Sequence, residues 1–153
     1  MNKIKLSLAT LALLTASHLA PTMVQTTSLV ITKKSEIECL AKNIYHEARG
    51  EPIEGQIAVA QVTVNRVKSG EFQSNVCRAV YADRQFSWTN TKPKKIKDIK
   101  AWEASVIIAT AVLTQSIHLP DFKALYFHTK QVKPSWNRNK QLVAIIGNHL
   151  FYC

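Results

Sequence analysis

The sequence predicts a mainly helical α+β domain closed by a small antiparallel sheet, and three observations predict it. Ile37, Leu40, Ala41, Ile44, Tyr45 and Ala48 recur at i, i+3, i+4, i+7, i+8 and i+11, the stripe of an amphipathic helix. From Ile57 to Val67 apolar residues are so dense that few polar faces remain, which marks a central, buried helix. Beyond Leu119-Pro120 the helical period gives way to short β-prone runs separated by turn residues. At 153 residues and 46% apolar composition, the chain is long enough for one domain with a real core and too short for two comfortable ones.

The elements follow in order. Lys3 and Lys5 precede an apolar run from Leu6 to Ala16, then small residues such as Ser17 and Ala20. That is the pattern of a secretory signal peptide, expected over residues 1–23. The run falls short of the ~20 residues that span a bilayer. A retained anchor and a buried helix of the mature fold are the rival readings. Val24 to Lys34 is polar and Thr-rich, so residues 24–35 read as a linker and 36–153 as the main domain. The first helix is expected from Glu36 until Gly50 and Pro52 end it. The second runs from Gly55 to about Lys68, stopped by Ser69-Gly70. A helical turn around Val76 to Tyr81 leads to a polar-aromatic loop, Arg84 to Asn90, and a Lys-rich stretch, Lys92 to Lys100. Asp98 is an acceptable N-cap for a third helix reaching about Ser116, with Trp102, Val106, Ala109, Val112 and Leu113 as its stripe. Strands are expected at 124–128, 141–146 and 149–152, with Gly147-Asn148 turning between the last two.

The formal charge of +10, from 20 Lys+Arg against 10 Asp+Glu, concentrates polyanions around the protein. Nucleic acid, anionic membranes and the acidic bacterial envelope all qualify; the export signal disfavours nucleic acid. The cysteines are Cys39, Cys77 and Cys153. In an oxidising compartment they allow one disulfide and one leftover thiol. Cys39 with Cys77 is the favoured pair, because both flank the two central helices, and Cys153 at the terminus is expected to fray. No CxxC pair suggests a zinc ribbon or thioredoxin chemistry.

Glu47 is the candidate for chemistry. At ~100° per residue it falls at the border of the first helix's apolar stripe, with His46 pointing to the opposite side. A partly desolvated carboxyl there would keep a proton near neutral pH, as a general acid for glycosidic cleavage must. Geometry alone makes this a weak signal, since border glutamates are usually solvated or ion-paired. The surrounding sequence strengthens it. Asn43-Ile44-Tyr45-His46-Glu47-Ala48-Arg49-Gly50-Glu51-Pro52 leads into Glu54-Gly55-Gln56-Ile57-Ala58-Val59-Ala60-Gln61-Val62 and Asn65-Arg66-Val67. Gln85-Phe86-Ser87-Trp88, Leu125-Tyr126-Phe127-His128 and Ile146-Gly147-Asn148-His149-Leu150-Phe151-Tyr152 follow. In that order, over about residues 36–152, these motifs resemble the cell wall hydrolase family named for the spore-cortex-lytic enzymes SleB and CwlJ.

The resemblance implies a small lysozyme-like, lytic-transglycosylase-like domain that cleaves peptidoglycan between N-acetylmuramic acid and N-acetylglucosamine. It implies that Glu47, first Glu of the E-A-R-G-E motif, is the catalytic residue, and that Gln85, Tyr126 and His128 line the cleft; Ser87, in the same motif as Gln85, is counted with the substrate-binding residues. It also supports the Cys39–Cys77 pair. Lys92 to Lys100 departs from the resemblance, being longer and more basic than expected. Trp88 and Trp136 could each stack on a sugar or sit in the core, Trp136 being counted with the substrate-binding residues. Arg49 is expected to pair with Glu51 or Glu54. Single-carboxylate chemistry with no cofactor or metal is favoured over hydrolysis with a partner carboxylate, for which Glu51, Glu54 and Asp83 are the candidates. A zinc peptidase is excluded because the fourth residue after His46 is Gly50, so H-E-x-x-H is incomplete. The remaining alternative is an exported module that only binds peptidoglycan. The expected partner is the glycan strand, for a monomer that is secreted or periplasmic, without a stable membrane span.

Overall fold

The first helix, α1, spans Met23–Ala48 and buries Leu40, Ala41, Ile44, Tyr45 and Ala48, the residues of the expected stripe. The computed structural model describes residues 23–92 and 95–153. The expected signal peptide therefore lies, Met23 excepted, outside the described residues. Residues 24–35, read from composition as a linker, continue α1 instead. Once residues 37–48 are packed, each further residue adds a hydrogen bond without paying nucleation again, so polar composition alone does not stop the helix. Among the described residues no helix is long and apolar enough to cross a membrane.

α2 (Ile53–Ser69) starts just past Pro52 and ends at Gly70, whose φ of 73° is the left-handed conformation a helix-terminating glycine supplies. It is the central helix that its density of Val and Ala predicts: Ala58, Val59, Ala60 and Val62 are fully buried. Gln61 and Asn65 reach from it to the chain that leads to the sheet. Gln61 donates to Leu119 O and Phe122 O and accepts from Leu119 N, and Asn65 donates to Phe122 O and Ala124 O. These bonds satisfy a backbone segment that has no ladder of its own.

α3 (Val76–Val80) is capped by Asn75, whose side chain accepts from Arg78 N. α4 (Ile99–Leu113) is capped by Asp98, whose Oδ1 accepts from Ala101 N, as the sequence leads one to expect. Two short 3₁₀ helices, Ser87–Asn90 and Ser135–Asn139, occupy stretches without periodic pattern. Strands β1 (Tyr126–Thr129), β2 (Leu142–Ile146) and β3 (His149–Tyr152) form an antiparallel sheet in the order β1-β3-β2. Tyr126 pairs with Tyr152, and Ile146 with His149 across the two-residue turn. The terminus does not fray, because Cys153 N–H donates to Gln141 O.

Helices α1, α2, α3 and α4 share one core around Leu40, Ile44, Val80, Phe86 and Ala109. A second cluster, with Phe151 at its centre, joins the sheet to α1 and α2. Cys39 and Cys77 are bonded, tying α1 to α3 across a sequence separation of 38 residues. Replacing both with serine is expected to lower stability by about 3–4 kcal/mol through the freed unfolded chain. Urea midpoints of the oxidised protein and the double variant measure this, and equal midpoints would contradict it.

Candidate active site

Three side chains in consecutive positions or one turn apart hold the C-terminal end of α1 in place. Asn43, fully buried, donates to Thr63 Oγ1 at 3.1 Å and latches α1 to α2. Tyr45 accepts on its hydroxyl from Lys97 N and Asp98 N, both at 3.1 Å, which ties α1 to the entrance of α4. These two backbone donors hold the Tyr45 phenol below its ordinary pKa. His46 stacks on Trp88, ring centroids 4.5 Å apart. Glu47, the next residue, is half-buried and opens onto a groove with two lobes that share Glu47 and Ser87.

The larger lobe has a volume of about 690 Å³. Tyr45, His46 and Trp88 contribute its rings, and Arg49, Lys95, Lys97 and Asp98 its charges. His46 thus shares this lobe with Glu47 rather than facing away, because Trp88 draws its ring across the groove. The smaller lobe, about 260 Å³, brings together Arg66, Gln85, Tyr126 and Trp136, with Arg84 and Phe86. Of the expected substrate-binding residues, Gln85, Ser87, Tyr126 and Trp136 therefore gather around Glu47. His128 does not. It is 9% exposed, its Nε2 is bonded to Tyr152 Oη and its Nδ1 to Thr129 O, and it backs the Trp136 ring at 5.5 Å. Alternation along β1 puts Tyr126 and His128 on one face, and Trp136 and Tyr152 cover the second of them. Trp88 is 7% exposed and mostly core, with only part of its ring at the groove.

Arg66 was not among the expected site residues, although its motif was. It is 5% exposed on α2, donates from Nε to Leu125 O at 2.6 Å, and lies 5.3–6.0 Å from the ring centroids of Phe72, Phe86 and Tyr126. Its Nη1 is buried without a hydrogen-bond partner. Burial pulls its pKa down to about 10, against the opposing influence of Tyr126 and Glu47, so the guanidinium stays charged at neutral pH. A lone arginine in an apolar helical run was the available signal for it.

The acidic residues also depart from expectation. Arg49 pairs with neither Glu51 nor Glu54; it donates to Tyr45 O and lies over the Tyr45 ring at 4.9 Å. Glu51 instead accepts from Asn148 N and Nδ2 in the β2–β3 turn. Gly147, with φ of 55°, is required there twice over, since a Cβ would also overlap Glu51 Oε2. Glu54 is exposed, and Asp83 is exposed beside Arg84 at 3.6 Å. None of the three lines the groove; Asp98 does.

Behind this brace sits His149, 1% exposed, with Nδ1 3.9 Å from Glu51 Oε2. Burial holds His149 below its ordinary pKa, with His128 adding to the effect and Glu51 opposing it. For Glu51, burial alone would raise the pKa, but the two Asn148 bonds with His149 and Lys130 outweigh it and hold it below the usual carboxylate value. Both folded values are depressed, so both groups contribute stability that is present above the unfolded values and lost on acidification. Unfolding free energy is expected to be level above the ordinary histidine value of 6.5, to fall first with His149, and to fall again below 4.5 with Glu51. Denaturant midpoints against pH test this; a midpoint that rises on acidification would refute it, and His149→Gln should flatten the upper step.

A short helical bundle with a three-stranded sheet, and a half-buried helix-end glutamate in an open groove, place the molecule in the lysozyme-like class of α+β domains. The chain belongs to the cell wall hydrolase family, whose model matches residues 50–152, beginning just past Glu47. It is 31% identical over 121 residues to a spore cortex-lytic enzyme of Oceanobacillus iheyensis, covering 77% of this chain and 41% of that one. A spore cortex-lytic enzyme of Bacillus subtilis is 29% identical over 120 residues, covering 76% and 37%. The chain therefore spans about two fifths of the length of these relatives. Among solved structures it is similar to the catalytic domain of the germination-specific lytic transglycosylase SleB from Bacillus anthracis, at TM-score 0.65 and 27% identity, covering 78% of this chain and 95% of that one. The catalytic domain of SleB from Bacillus cereus gives TM-score 0.62 and 27% identity, with 78% and 91% covered.

Proposed function

We propose that this chain degrades peptidoglycan by cutting the glycan strand between N-acetylmuramic acid and N-acetylglucosamine, with Glu47 as its acid and base. The observation that carries this reading is the position of Glu47 where the two lobes of the groove meet, with polar and aromatic side chains on both sides. The similarity to catalytic domains of a lytic transglycosylase supports it. Glu47 protonates the bridging oxygen as positive charge develops at C1 of the muramyl sugar. The resulting carboxylate then takes the proton of that sugar's C6 hydroxyl, whose oxygen closes on C1 to give a 1,6-anhydro end. Gln85, Ser87, Tyr126 and Trp136 hold the sugars along the groove. The basic, apolar start of the chain and the Cys39–Cys77 bond support a site of action in the envelope, outside the cytoplasm.

Mass spectrometry of digested sacculi tests the chemistry, since 1,6-anhydro ends are expected and only reducing ends would refute transglycosylation. The hydrolytic reading rests on Asp98, the other carboxylate in the larger lobe. Its Oδ1 is engaged in capping α4, which favours a structural role. Asn caps a helix as well as Asp does. Asp98→Asn is therefore expected to keep turnover within about threefold of the parent, whereas loss of a general base would cost about a hundredfold or more.

A further inference from the structure

The two lobes of the groove differ in what their charges are doing. In the smaller lobe Arg66 is buried, bonded through Nε to Leu125 O among three ring faces, and the exposed Arg84 lies 3.6 Å from Asp83. Its remaining lining, with Gln85, Tyr126 and Trp136, suits neutral sugar rings. The larger lobe carries Arg49, Lys95 and Lys97, all exposed, and among the described residues none of them is ion-paired. Two of the three are anchored through Tyr45. Arg49 is fixed over the Tyr45 ring and by Tyr45 O, and the Tyr45 hydroxyl takes the backbone N–H groups of Lys97 and Asp98. The one buried side chain Tyr45 thus fixes Arg49 and the backbone of Lys97 beside the lobe that begins at Glu47, and Lys95 lines the same lobe two residues earlier.

A glycan strand has no charge to meet them, because the lactyl carboxylate is amidated where a peptide is attached. The carboxylates of peptidoglycan lie on the stem peptides that branch from the muramyl sugar. We infer that the Arg49–Lys95–Lys97 lobe binds the acidic stem peptide next to the scissile bond, so that the protein selects peptide-bearing strands over stripped ones. A diffuse attraction to anionic wall polymers fits less well, since these cations line the same groove as Glu47. The inference rests on the proposed function, because it takes the groove to hold the glycan.

The test uses two soluble glycan fragments of equal length, one with its stem peptides and one stripped by an amidase with its freed lactyl carboxylates capped as methylamides, titrated into the Glu47→Gln protein. The peptide-bearing fragment is expected to bind about tenfold more tightly, as two or three exposed ion pairs would provide, and the advantage should shrink as salt is added. In the Lys95→Ala, Lys97→Ala variant on the same background the advantage should fall to about twofold or less, with the stripped fragment binding as before. Both side chains are exposed, and the bonds to Tyr45 use only backbone, so folding is not at stake. Equal binding of the two fragments, an advantage that survives the double substitution, or competition by a sulfated glycan as effective as the peptide-bearing fragment would each overturn the inference. Failure of the Glu47 protein to cut either fragment, with the binding preference intact, would remove the proposed enzymatic function and leave the peptide-binding lobe standing.

Discussion

Glu47→Gln is expected to lower peptidoglycan cleavage by about a thousandfold, within the range that a lost general acid/base costs. The substitution keeps the shape and much of the hydrogen-bonding capacity of the side chain but removes the proton that the bridging oxygen must receive. In the proposed reaction Glu47 gives its proton and then takes another, so both steps are lost together. Arg66 keeps a polar neighbour of the same shape, and a small shift in melting temperature of about a few degrees is expected with the fold retained. Release of anhydro-muropeptides from sacculi, followed beside the circular dichroism of both proteins, measures the effect. Clearing at the parent rate by a folded Glu47→Gln protein would take Glu47 out of the mechanism. It would leave the reading of a peptidoglycan-binding module in its place.

Arg66→Ala is expected to produce the largest loss of stability of any single substitution in the groove, about 3 kcal/mol. Three contributions add to this figure. Leu125 O loses its 2.6 Å donor beneath the sheet, a buried acceptor left unmade. The faces of Phe72, Phe86 and Tyr126 lose the cation between them and gain a cavity. Glu47, half-buried, loses a nearby positive charge that stabilises its carboxylate whenever the proton is off. Arg66→Lys keeps the charge but not the planar fork, and is expected to recover less than half of the loss. Because Tyr126 and Phe86 line the same lobe as Glu47, activity should fall further than the unfolded fraction accounts for. Denaturant titration gives the stability, and initial rates well below the melting temperature give the remainder. An Arg66→Ala protein as stable as the parent would mean that the buried guanidinium costs as much to desolvate as its contacts return.

Much of the fold was legible because it is local. The stripe of α1, the dense apolar run of α2, Gly70 at a helix end, Asp98 at a helix start and Gly147-Asn148 in a turn each act over a few residues, and each is found where its pattern puts it. Glu47, Gln85, Ser87 and Tyr126 were legible within motifs and Trp136 as a tryptophan outside the helices, and the fold gathers them into one groove. Other features were not local. The polar run before Glu36 is helical because a packed helix propagates into it. Arg49 faces Tyr45 rather than Glu51, and Glu51 finds Asn148, 97 residues away. No spacing rule within one helix announces either partner.

What the amino-acid order determined by itself, then, was the set of main elements, most of their ends and one candidate glutamate at a helix terminus, because periodicity, caps and turns are short-range physics. Only the tertiary structure decided which charges surround that glutamate. Arg66 reaches it through the core from α2, Asp98 and the lysines arrive from the entrance of α4, and His128 is withdrawn behind Trp136. These placements depend on how helices and sheet pack across long separations, where side-chain burial and charge compensation are settled together.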